Sequence, residues 1–184
     1  MPLATRRWRV LAGASLLFVA SPAHAEDPWT PPPHVRPQTA DARALLADGI
    51  ARSPALREMV DRLEHSDVIV YIRHRLFVGS QIEGWIAILS AVRGQRYLVI
   101  EIGCGRTVPD QIGTLGHELH HALEIAGEPS IVDARSLAAF YERIGIRVGG
   151  YGSSRTFETL GARQAGLQVR RDALTRTPSV AETK

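Results

Sequence analysis

Cysteine is all but missing from this sequence. Cys104 stands alone among 184 residues, so no disulfide can close within the chain, and stability must come from an apolar core with any help a bound metal gives. Because Cys104 follows an apolar run, it is expected as a small buried residue, with a place on the rim of a site as the alternative. Long apolar runs are missing too. Val10 to Ala20 falls short of the roughly 20 residues that a spanning helix needs. A lasting excess of charge is the third absence: Arg6, Arg7 and Arg9 sit ahead of that run, and setting them aside leaves 19 basic against 19 acidic residues. The formal +3 of the whole chain is therefore no sign of a nucleic-acid or membrane-surface partner. No internal repeat is visible.

Those three arginines, the apolar stretch behind them and the small-x-small sequence Ala23-His24-Ala25 have the order of a secretory signal, residues 1–25. A membrane anchor is the competing reading. Cleavage is expected before Glu26, which places the mature protein in a periplasm or outside the cell, free of the membrane, and no cysteine stands there to carry a lipid. Residues 26–40 hold Pro28, Pro31, Pro32, Pro33 and Pro37 and read as an extended linker. One domain, 41–174, follows, and the polar tail 175–184 is expected to be disordered.

Within the domain, Asp41 to Ile50 and Pro54 to Leu63 have helical patterning, the second opened by Ser53 as N-cap. Asp67 to His74, Trp85 to Val92 and Arg96 to Ile102 are β-rich, with a turn near Gly94, and predict a small antiparallel or mixed sheet. Three helices are expected next: Val108 to Ala126, about Asp133 to Ile144, and Thr156 to about Leu174. Helices, strands and helices in that order make an α+β fold with the sheet packed on the first helix of the last set.

That helix carries Gly116-His117-Glu118-Leu119-His120-His121-Ala122, an HExxH pattern. Four residues of helix leave His117 and His121 about 40° apart and about 6 Å along the axis, so both imidazoles can reach one metal ion. Neutral imidazole suits zinc. Glu118 then stands beside the open coordination position, placed to take a proton from water. Leu115, Leu119, Ala122 and Ala126 form the opposite, apolar face; Thr107 reads as the N-cap and Gly127 as the stop. His120 lies off the metal face.

A catalytic zinc needs a third protein ligand, and Glu124, Asp133, Glu142 and Glu158 are available. Glu124 shares the histidine face but lies about 7.5 Å along the axis from the middle of the pair, which suits a supporting role. Asp133 stands at a helix N-cap. Glu142 points about 140° from the stripe of Leu137, Phe140, Tyr141 and Ile144, toward solvent. Glu158 is favoured: on a helix it shares a face with Gly161, Ala162 and Ala165, small enough to let that helix lie close to the HExxH helix.

With HExxH on one helix and a glutamate on a later one, the chain resembles the gluzincin group of zinc metallopeptidases over about residues 107–169, with His117, Glu118 and His121 carrying the likeness. The resemblance implies a minimal zincin-like domain, a peptide or protein substrate, and Tyr97 to Ile102 as the sheet edge that seats the substrate. It also implies an oxyanion donor, for which Tyr151 and His74 are candidates. Glu158 is followed by Thr-Leu-Gly-Ala, without the further aspartate that some such families place four residues on. A non-catalytic exported zinc module and a zinc amidase acting on cell-wall material are the rival expectations. The signal expectation is checked by intact mass: exported protein should begin at Glu26, and a full-length species held in the membrane would refute it.

Overall fold

Strands covered on both faces read as unbroken apolar runs. Val68-Ile69-Val70 and Leu98-Val99-Ile100 are such runs, and they become the two central strands of a four-stranded sheet. The computed structural model describes residues 31–76, 83–149 and 156–175. The expected signal segment, the first part of the linker and residues 176–184 of the tail lie outside them. In chain order the elements are β1 (Val35–Pro37), α1 (Ala40–Arg52), α2 (Pro54–Glu64), β2 (Val68–Arg75), β3 (Gly84–Val92), β4 (Gln95–Gly103), α3 (Val108–Ala126), α4 (Ala134–Ile144), β5 (Ile146–Gly149), β6 (Thr156–Glu158) and α5 (Leu160–Thr175).

The chain is mixed α+β. Its main sheet has the order β1-β2-β4-β3; β2 pairs in parallel with both β1 and β4, while β3 and β4 form an antiparallel hairpin whose turn places Arg93 and Gly94 at positive φ. Of the two forms expected the sheet takes the mixed one, because the strand beside β2 is β4 and not its sequence neighbour β3. Three other expectations change. The run Tyr97–Ile102 is interior, and the edge strands are β1 and β3, the outer side of β3 pairing with no strand among the described residues. Residues 35–37 of the expected linker form β1. Cys104 is exposed.

One face of the sheet, carrying Val70, Ile72, Leu98, Ile100 and Ile102, packs on Leu45 of α1, Leu56 and Leu63 of α2, and Ile112, Leu115 and Leu119 of α3. Each helix starts on a side-chain cap. Thr39, Ser53, Thr107 and Asp133 each accept a backbone N–H of the first turn, and Asp133 forms a full capping box with Ser136. Ser53 also donates to Asp172 of α5 at 2.7 Å, tying the α1–α2 corner to the last helix.

α5 lies against α3 with almost nothing between the backbones. A methyl added at Gly116 would stand 2.8 Å from Val169 Cβ, and one at Gly166 would stand 3.1 Å from the Gly113 carbonyl. The expected close approach exists, but through Ala162, Gly166 and Val169, with Gly161 beside His120.

Gly127 caps α3 where expected, but with φ at −71° and not in a left-handed turn. Arg96 supplies the further donors at this end. Its buried guanidinium donates to the carbonyls of Ile125 at 2.6 Å, Glu128 at 2.7 Å and Ala126 at 3.1 Å, and forks onto Asp67 at 2.7 and 2.8 Å. The Arg96 hydrogen bond holds the Asp67 carboxyl below its ordinary range. The helix C-terminus, the negative end of its dipole, thus meets a fixed cation. Arg96→Met should lower stability by about 2–4 kcal/mol, read from the denaturant midpoint, since several buried carbonyls lose their donor. Arg96→Lys should recover little, because one ammonium cannot span both sets of acceptors.

Candidate metal centre

His117 and His121 leave α3 one turn apart, and their rings meet edge-on with centroids 4.8 Å apart. Glu158 reaches the same place from another direction. It is the last residue of β6 and not part of a helix, so the facing argument that favoured it rested on the wrong element. Its position is set by the β5–β6 hairpin, in which Ile146 pairs with Glu158, and by a tight corner at Gly145. An added Cβ there would stand 2.7 Å from the Tyr141 carbonyl and 3.1 Å from Phe157 Cβ.

One ligand atom from each of His117, His121 and Glu158 falls within 4.8 Å of the others. Glu158 Oε1 is buried, receives no hydrogen bond and lies 3.1 Å from His117 Nε2. Burial, then the neighbouring His121, pushes His117 down to about 4, so the ring is neutral at ordinary pH. Burial likewise raises Glu158 above its usual value. A neutral imidazole facing an unpartnered carboxylate oxygen is a poor arrangement without a cation and a good one with it. The residues fit a metal ion by this test, and two imidazoles with one carboxylate are a donor set that zinc accepts.

Glu118 is not part of that trio. Its carboxylate lies against β3, where an added Cβ at Gly84 would come within 2.9 Å of Oε1 and 2.6 Å of Thr114 Cγ2, so only glycine leaves room. Burial is the main reason its carboxyl is pushed up to about 7. A group poised there can both accept and return a proton near neutral pH. His117, Glu118, His121 and Glu158 open onto a cleft of about 1020 Å³, walled by Trp85 and Ile86 of β3, Leu137 of α4, Val148 of β5, Phe157 of β6 and Leu167 of α5.

The other candidates are placed as follows. Glu124 is beside His121 as a supporting carboxylate, 2.7 Å from Nδ1. Asp133 caps α4 and is exposed. Glu142 is exposed on the cleft wall, outside the ligand trio. His120 is half-buried, 3.7 Å from Glu124. His74 pairs across to Ile102 and does not line the cleft, and Tyr151 lies outside the described residues. Sequence reasoning missed two supports, Tyr141 and Thr159. Tyr141 lay within a stripe read as apolar, although a buried tyrosine hydroxyl usually has a polar partner; here it contacts His121 Nδ1 at 3.1 Å and Glu124 at 3.3 Å. Thr159 has the signature of an N-cap, hidden when the helix was started at Thr156.

No family model, no curated protein and no solved structure matches the chain. The site has to be read from its own chemistry. If Glu158 is a ligand, Glu158→Ala should weaken zinc binding at least tenfold, whereas Glu142→Ala should hardly change it, since a lost ligand costs no less than a lost outer partner. Equal affinities in a chelator-competition titration would refute the assignment.

Proposed function

We propose that the protein is a zinc-dependent hydrolase of the gluzincin type, a small exported metallopeptidase with a zincin-like plan, in which His117, His121 and Glu158 hold the metal and Glu118 is the base. The observation that carries this reading is the conjunction at one cleft of three convergent donors with a separate buried carboxyl, Glu118, beside them. A purely structural zinc closes its coordination with four protein ligands. Here the trio has three, and its surroundings open onto a cleft.

Zinc bound there would act as a Lewis acid toward a carbonyl oxygen and toward water. Glu118 accepts the proton of the attacking water as the new carbon–oxygen bond forms, and returns it to the amide nitrogen as the carbon–nitrogen bond breaks. Its confinement by Gly84 and Thr114 limits where that proton goes. The edge of β3, which pairs with no further strand among the described residues, runs from Gly84 along the cleft, so an extended peptide adding to it would pass Glu118 with its backbone carbonyls held in register. Peptide is therefore preferred over cell-wall amide as substrate.

The test is Glu118→Gln. It should retain zinc and lose hydrolysis of a mixed peptide library by a factor of about 100 or more. Full turnover in that variant would remove Glu118 from the reaction. Cleavage of cell-wall fragments without cleavage of peptides would replace the substrate class.

A further inference from the structure

Glu124 is bonded through both oxygens, and the two lead to different arms of the proposed metal site. Oε2 lies 2.7 Å from His121 Nδ1 and accepts the Tyr141 hydroxyl at 3.3 Å. An ionised carboxylate only accepts, so Nδ1 must carry the ring proton, and Nε2 keeps its lone pair. Oε1 accepts the Thr159 hydroxyl at 2.6 Å. Thr159 follows Glu158 directly and starts α5: its Oγ1 accepts the N–H of Ala162 at 3.1 Å and its carbonyl that of Arg163 at 3.1 Å. Glu158 Oε1 has no donor of its own, and this tether joins the β5–β6 pairing and the Gly145 corner in holding residues 158–159.

We infer that Glu124 is a positioning residue that sets two ligands at once, His121 by fixing its tautomer through Oε2 and Glu158 by anchoring the β6–α5 corner through Thr159 and Oε1. This rests on the metal-site reading. It assigns to a residue of α3 itself, three positions after the second histidine, an orienting role that nothing after Glu158 supplies, because Thr159, Leu160, Gly161 and Ala162 offer no carboxylate. Outer partners of this kind are worth about 10–100-fold in metal affinity. Their loss need not change the fold.

The experiment uses the full chain and four variants, Glu124→Leu, Thr159→Val, Thr159→Ser and the double variant Glu124→Leu/Thr159→Val, leucine being chosen because a glutamine amide could still bond both partners. Long-range proton–nitrogen correlation on metal-free protein reads the His121 tautomer, and zinc competition titration reads affinity. Wild type should show the Nδ1–H form. Glu124→Leu should mix the tautomers and weaken zinc about 10–100-fold; Thr159→Val should leave the tautomer alone and weaken zinc about tenfold; Thr159→Ser should restore it. The double variant should bind about as weakly as Glu124→Leu alone, because both changes break one tether. Thr159→Val also loses the α5 cap, but an effect through the cap would multiply with that of Glu124→Leu, and multiplication overturns the proposal. An unchanged tautomer in Glu124→Leu overturns it too. A wild-type chain that binds no zinc refutes the metal reading instead, and with it the second arm, while the tautomer result still decides whether Glu124 orients His121.

Discussion

Between α3 and α5 there is no room for a side chain at Gly113, Gly116 or Gly166, and the arrangement of the site depends on that closeness. Gly113 and Gly116 each cost a helix interior about 1 kcal/mol relative to alanine. In return the α5 backbone comes down onto α3, with Gly166 against His117 and Val169 over Gly116. Glu158 and Thr159 stand immediately before α5, so lowering that helix onto α3 delivers one to His117 and the other to Glu124. A bulkier residue at any of these glycines would lift the helix and carry the 158–159 corner away with it.

Electrostatics then sort three neighbouring glutamates into different states. Burial raises Glu118 and Glu158. Burial acts on Glu124 too, but the donors His121 and Thr159 outweigh it and hold the carboxyl below its ordinary range. On the proposed metal reading, the neutral His117 ring beside Glu158 favours a cation, which would couple metal binding to the stability of the α3–α5 assembly. Just past Glu124, at the C-terminus of α3, Arg96 of β4 brings a positive charge to the helix carbonyls.

The edge strand carries its own safeguard. A free strand edge invites pairing with other chains. β3 has a bulge between Ile88 and Ser90, which breaks the regular ladder beyond the part that borders the cleft. The regular portion, Gly84 to Ile88, is the part beside Glu118, where strand addition serves the proposed reaction.

By itself the sequence determined what depends on local order. The span of α3 was legible from a capping threonine and a 3.6-residue apolar period, and the pairing of His117 with His121 follows from helix geometry alone. Ser53 and Asp133 as caps, the β3–β4 hairpin and the central apolar strands were legible for the same reason. Tertiary structure decided everything that joins distant segments. Nothing local says that β2 lies beside β4, so the edge strand was misplaced; Gly127 was legible as the stop of α3, but nothing local says that Arg96, some thirty residues away, also donates to the carbonyls there. Glu158 was chosen on a helical face that does not exist, since three residues of strand and a threonine cap precede the helix, and it meets the histidines through a hairpin whose register no periodicity encodes. A period records which side of an element is buried; what that side meets is fixed only when glycine-to-glycine contacts and buried hydrogen bonds close between elements far apart in the chain.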